Sequence, residues 1–134
     1  MSQENVEIVR RIIARFDETH KPATDLTSPD FIWHTGSWKA WTGPSEYYGA
    51  DGFAQFFDEW TAAYDEWQQD IQEIVDAGDD QVVAINRQRG RLHNSDSWVD
   101  LEAGFVYTIE DGLVVRIDVH GSRAEALKAV GLEG

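Results

Sequence analysis

From residue 69 onward the chain alternates with a period of two, and this restricts the fold more than any other feature. The runs QQDIQEIVDA, QVVAINRQRGRL, SWVDLEAGFVYTI and LVVRIDVH are separated by GDD, HNSD and EDG, all clusters of turn-forming residues. Successive side chains of a strand point to opposite faces, so each run has one face that can be buried and one that meets water. Breaks this short predict four antiparallel strands in a meander.

The earlier half has helical periodicity. Val6, Val9, Ile13 and Phe16, flanked by Ile8 and Ile12, form an apolar stripe, with Glu4 near the positive end of the helix dipole. In GFAQFFDEWTAAY the spacing predicts a second helix with Phe53, Phe56, Phe57, Trp60 and Tyr64 on one face. Between them, KPATDLTSPDF is punctuated by Pro22 and Pro29 and has room for one helical turn before a strand around residues 31–34. At the end, Ser122 and Glu125 form a capping signature and Gly131 stands where a C-terminal cap belongs, which predicts a short last helix. No repeat or linker divides the chain, so residues 1–134 are expected to form one α+β domain.

With this order of elements, the segments SQENVEIVRRI, FIWHT, GFAQFFDEW, DAGDDQVV, EDGLVVRIDV and SRAEALKAVGL resemble the SnoaL-like branch of the nuclear transport factor 2-like superfamily over nearly the whole chain. The resemblance implies a cone-shaped roll: a curved antiparallel or mixed sheet wrapped around N-terminal helices, with a short C-terminal helix. It also implies a cavity between the concave face and the helices, a homodimer, and chemistry without a cofactor. Relatives include polyketide cyclases, ketosteroid isomerases, epoxide hydrolases, dehydratases and plain binding domains, so the fold is better specified than the function.

Strand parity then decides which residues face the cavity. Pairing residues 81–92 with 97–108 across HNSD sets Arg91 opposite Trp98, Arg89 opposite Asp100 and Arg87 opposite Glu102, each a matched pair. The other face carries Ala84, Asn86, Gln88 and Gly90 against Phe105, Ala103, Leu101 and Val99, and is expected to be concave. The opposite choice would bury arginines. By the same logic Val115, Ile117 and Val119 point inward, and Arg116, Asp118 and His120 outward. The arginine row is read as a surface ion-pair lattice, within a dimer interface by analogy with the family.

His34 is the candidate for chemistry. It follows the apolar FIW on a strand that the family places at the cavity wall, and an enclosed imidazole can serve as acid or base near neutral pH. Asn86, Gln88, Tyr48 or Tyr64 could orient it. The expected ligand-binding set is Trp33, Tyr48, Phe57, Trp60, Tyr64, Asn86, Gln88, Leu101, Phe105 and Val119. The catalytic patterns of the family are not matched. The helix-one Tyr of ketosteroid isomerases falls on Ile12, the strand positions of SnoaL-type cyclases fall on Phe105 and Val119, and the epoxide hydrolase pair falls near the neutral amides Asn86 and Gln88.

Composition narrows the partners. The formal net charge is −14, from 25 acidic against 11 basic residues, which disfavours phosphate-rich nucleic acid. There is no cysteine, no H-x-x-x-H or H-E-x-x-H spacing among the four histidines, no nucleotide-binding glycine motif and no long apolar run. These features lead to the expectation of a soluble cytoplasmic protein without metal or cofactor, binding a small apolar or aromatic molecule. Two functions follow. A paired His34 beside a cavity of several hundred Å³ favours a cofactor-free isomerase, cyclase, hydrolase or dehydratase, and a cavity filled by its own Trp side chains favours a catalytically silent binding or assembly domain.

Overall fold

The computed structural model describes residues 2–36, 38 and 41–132. Among them are helices α1 (Ser2–Thr19), α2 (Gly49–Thr61) and α3 (Arg123–Ala129), and strands β1 (Thr27–His34), β2 (Glu46–Tyr48), β3 (Tyr64–Gly78), β4 (Gln81–Leu92), β5 (Trp98–Glu110) and β6 (Leu113–His120). The strands form one open mixed sheet in the order β2-β1-β6-β5-β4-β3. All neighbours are antiparallel except β1 and β6, which run parallel because the chain crosses the helices between them.

The meander follows its alternation. Arg91 pairs with Trp98, Arg89 with Asp100 and Arg87 with Glu102, and Asn86, Gln88, Ala84, Ala103 and Phe105 are buried on the other face. Helices α1 and α2 cover this inner face, where Val9, Ile12, Phe53, Phe56 and Trp60 join Trp33, Phe105 and Ile117 in one core cluster. Helix α3 lies on the outer face, with Ala126 and Leu127 on Val83, Ile85 and Val106. Its Ser122 cap accepts a hydrogen bond from the Glu125 amide at 3.1 Å, and Gly131 adopts φ +79°, so both predicted ends are present.

Three boundaries differ from expectation. The second helix ends at Thr61, and Tyr64 opens β3 instead of completing the helical stripe. Its ring lies across Gly90 on β4, where an added Cβ would come within 2.5 Å of the ring, so the small residue makes room for the aromatic one. The first strand begins at Thr27, with Pro29 in a register shift, and a short β2 pairs with its far edge. On β6 a bulge opposite Thr108 and Ile109 changes the parity, so Val114 is fully buried while Val115 is only half-buried. Ile117 and Val119 point inward as expected.

Gly49, where β2 passes into α2, combines φ +67° with an approach of 2.8 Å between an ideal Cβ and the Pro29 carbonyl oxygen. Only glycine meets both demands.

Candidate functional site

Four indoles and a cluster of phenyl rings surround the space between the inner face and the first two helices. Trp33 on β1, Trp38 in the following loop, Trp60 on α2 and Trp67 on β3 line it, with Phe16, Phe53, Phe56, Phe57 and Phe105. Most of the rings meet edge to face or tilted, as in Trp33 on Phe53 at 4.8 Å between centroids and Trp38 on Trp60 at 4.7 Å, while Phe53 and Phe57 are stacked. These side chains occupy most of the cone. About 70 Å³ remains accessible to the centre of a water molecule, well below the roughly 300–1,000 Å³ of a pocket for a drug-sized ligand.

A carboxamide organises the polar part of this wall. Gln88 Oε1 accepts from Trp60 Nε1 at 3.1 Å and from Trp67 Nε1 at 3.2 Å, which occupies both lone pairs. Gln88 Nε2 lies 3.5 Å from Asn86 Oδ1, and Asn86 Nδ2 donates to Gln69 Oε1 at 3.1 Å. Gln69 in turn donates to Asp17 on α1 at 3.2 Å, so the chain of amides ties sheet to helix. Trp33 Nε1 is buried without a hydrogen-bond acceptor among the described residues. Tyr107 lines the cavity, and burial, followed by the charge of Asp17, pushes its phenol far above the ordinary value.

No carboxylate, histidine, lysine or arginine is among the described lining residues. His34 is on the opposite side of β1. Register explains this: Trp33 pairs with Ile117, facing inward, so the next residue faces outward beside Asp118. His34 Nδ1 lies 3.2 Å from Asp118 Oδ1, at ion-pair distance but without hydrogen-bond geometry. Both oxygens of the same Asp118 accept a bifurcated hydrogen bond from Arg116 Nε, each at 3.0 Å. The imidazole rests over Gly36, where a Cβ would meet it at 2.8 Å. The expectation that His34 faces the cavity is therefore corrected, and none of Asn86, Gln88, Tyr48 or Tyr64 is its partner.

Of the expected binding set, Trp33, Phe57, Trp60, Gln88 and Phe105 line the cavity. The others do not. Tyr48 is 59% exposed and donates to Glu46, Tyr64 packs on Trp60 and Gly90, and Asn86 lies beneath the wall as the partner of Gln69 and Gln88. Val119 faces inward but is buried in the core, and Leu101 is partly buried against the same core. Trp67, Gln69 and Tyr107 were missed. Tyr107 shares the parity of Phe105 and Gln69 that of Ile71, whereas Trp67 lies before the expected strand and enters the sheet only because β3 begins at Tyr64.

The arginine row lies on the outer face and is paired, with contacts displaced diagonally from the register by the twist of the sheet. Arg87 bonds Asp100 at 2.8 Å, Arg89 lies over the Trp98 ring at 5.1 Å, and Arg91 reaches Asp65 at 3.5 Å. Glu102, left by Arg87, accepts from the Arg123 backbone amide at 2.7 Å at the start of α3. Among the described residues no group of three or more His, Cys, Asp or Glu is placed to hold a metal ion, and no helix is long and apolar enough to cross a membrane.

Comparison with known proteins agrees with this architecture. A family model described as SnoaL-like domain matches residues 9–117. A crystal structure of TerC co-crystallised with polyporic acid superimposes with a TM-score of 0.72 at 15% identity, covering 96% of this chain and 98% of that one. A SnoaL-like polyketide cyclase, so assigned on similarity, from Jannaschia sp. CCS1 gives 0.69 at 19% identity over 99% and 95% of the two chains. A nuclear transport factor 2-like protein from Burkholderia xenovorans LB400 gives 0.71 at 18% identity over 97% and 98%. At these identities the likeness is one of fold. No functionally curated protein matches the sequence.

Proposed function

The chain belongs to the SnoaL-like family, and we propose that it is a binding domain for a small uncharged apolar molecule held in the aromatic cavity, without proton-transfer chemistry there. One observation carries this reading: the lining is aromatic and carries no charged side chain, and its fixed polar group, Gln88, is a neutral amide. General acid–base catalysis needs a group that exchanges a proton near working pH within hydrogen-bond reach of the substrate. A phenol raised as far as that of Tyr107 stays protonated near neutral pH and so cannot take up a proton, and His34 is separated from the cavity by the sheet.

Association of two copies through the outer face of β3, β4 and β5 belongs to the same proposal. That face exposes Trp98 among alternating arginines and carboxylates, a surface that can pair with itself.

The test is a thermal-shift and tryptophan-fluorescence screen with small neutral aromatics, ketones and esters. A ligand at a hundred times its dissociation constant adds about 2.7 kcal/mol of stability, and four indoles in the wall make fluorescence a direct reporter. The expected result is a raised melting temperature together with altered emission, equal in wild type and His34→Ala. A shift lost in His34→Ala would move the site to the outer face. A cooperative melt unmoved by every compound would make the aromatic cluster a closed core and the domain one of assembly.

A further inference from the structure

We propose that the cavity selects a small uncharged molecule bearing a hydrogen-bond acceptor, such as a ketone, aldehyde or ester, and that Trp33 is the residue that recognises it. This rests on the binding reading above and specifies its ligand. Trp33 is 6% exposed and lines the cavity, yet its Nε1–H has no acceptor among the described residues. Its ring is surrounded by Phe53, Phe56 and Phe105 at centroid distances of 4.8, 5.0 and 5.5 Å, none of which carries an oxygen. Buried donors are nearly always satisfied, and one left without an acceptor on a residue that lines free space marks where a partner is missing.

The neighbouring groups favour an acceptor on the ligand. Trp60 and Trp67 have spent their N–H groups on Gln88 Oε1, which is thereby full, and Gln69 Oε1 accepts one hydrogen bond from Asn86. An acceptor on the ligand therefore meets an open donor at Trp33, whereas a donor on the ligand finds Gln88 Oε1 occupied and has only the second lone pair of Gln69 Oε1 and the hydroxyl oxygens of Thr27 and Tyr107 to turn to. A charged ligand would find no counter-ion in the described wall and would carry the full cost of leaving water. Space sets the size: about 70 Å³ suits a single small ring rather than a polycyclic skeleton.

The experiment compares cyclopentanone with methylenecyclopentane, which replaces the carbonyl oxygen by a CH₂ group of similar shape, in wild type and Trp33→Phe. The two ligands differ in hydration, so the quantity read is the change in their affinity ratio between the two proteins. Trp33→Phe is expected to lower that ratio about five- to tenfold, the range of one net hydrogen bond. Should the variant fold poorly, ¹H–¹⁵N spectra of the wild type decide. The Trp33 indole proton is expected to move downfield and exchange more slowly with cyclopentanone and not with the hydrocarbon. Binding of both ligands with an unchanged ratio, or with an unmoved indole proton, overturns the proposal and leaves the binding reading standing. In that case the N–H rests against a ring face. Failure of both to perturb any cavity resonance up to their solubility overturns the binding reading itself.

Discussion

Gln88 holds two indoles from different elements on one oxygen, and the consequence of losing it follows from hydrogen-bond energetics. In Gln88→Leu the Trp60 and Trp67 N–H groups become buried donors without acceptors, each costing about 1–3 kcal/mol. A loss of about 2–4 kcal/mol in urea unfolding is expected. A loss below 1 kcal/mol would mean that water replaces the amide. His120 gives a second prediction at this scale. Burial depresses its pKa below the ordinary 6.5, with Asp118 and Glu125 opposing the shift and His34 adding to it. Below pH 6.5 the unfolded chain takes up a proton that the folded chain resists. The stabilisation of neutral His120 is thus fully present above pH 6.5 and lost as pH falls through its lowered folded value. The stability difference between wild type and His120→Asn should therefore shrink from pH 7.5 to pH 5.5. A difference constant over that range would show that the burial has no consequence. The site itself was partly legible residue by residue. Gln88 and Phe105 follow from alternation, but the unbroken apolar FIW hid the fact that Trp33 and His34, as neighbours on a strand, cannot share a face.

Among the elements, α3 is the one whose docking depends on a single missing side chain. A Cβ on Gly104 would stand 2.4 Å from the Ala126 Cβ and 3.1 Å from the Ser122 carbonyl oxygen, so the helix seats on bare strand backbone. Gly104→Ala should destabilise by about 1–3 kcal/mol through overpacking, and Ala126→Gly in the same background should recover part of the loss. Additive effects of the two substitutions would show that the contact does not bear on docking. The helix was foreseeable from its cap and its apolar residues. Its seat was not, because Val83, Ile85 and Val106 alternate as an outer face and nothing local says that a helix will cover them. The border between α2 and β3 was misread for a related reason. Tyr64 continues the helical spacing of Phe53 to Trp60, and only its place across Gly90 makes it a strand residue.

At the scale of the molecule, the acidic excess and the outer face meet in the question of self-association. A net charge of −14 opposes the approach of two copies, while Trp98, at 47% exposure, and the paired arginines offer a local surface where the repulsion is relieved. Sedimentation of the wild type should give a dimer whose dissociation is suppressed by salt, and Trp98→Glu should shift it to monomer without altering the far-UV spectrum. A wild type that stays monomeric at high concentration and high salt would remove this face from consideration.

By itself the sequence determined the three helices and five of the six strands, the three turns of the meander, the register of β4 against β5, and the inward row of Asn86, Gln88 and Phe105, because each is encoded within a few residues or one hairpin. Tertiary structure decided what depends on distant segments. The parallel pairing of β1 with β6 turned His34 outward to Asp118, the bulge on β6 exchanged Val115 for Val114, and the packing of four indoles left a small uncharged cavity where a catalytic one was conceivable. Alternation says which side chains share a face, but which face is enclosed, and how much space remains there, is set only when helices and sheet close on each other.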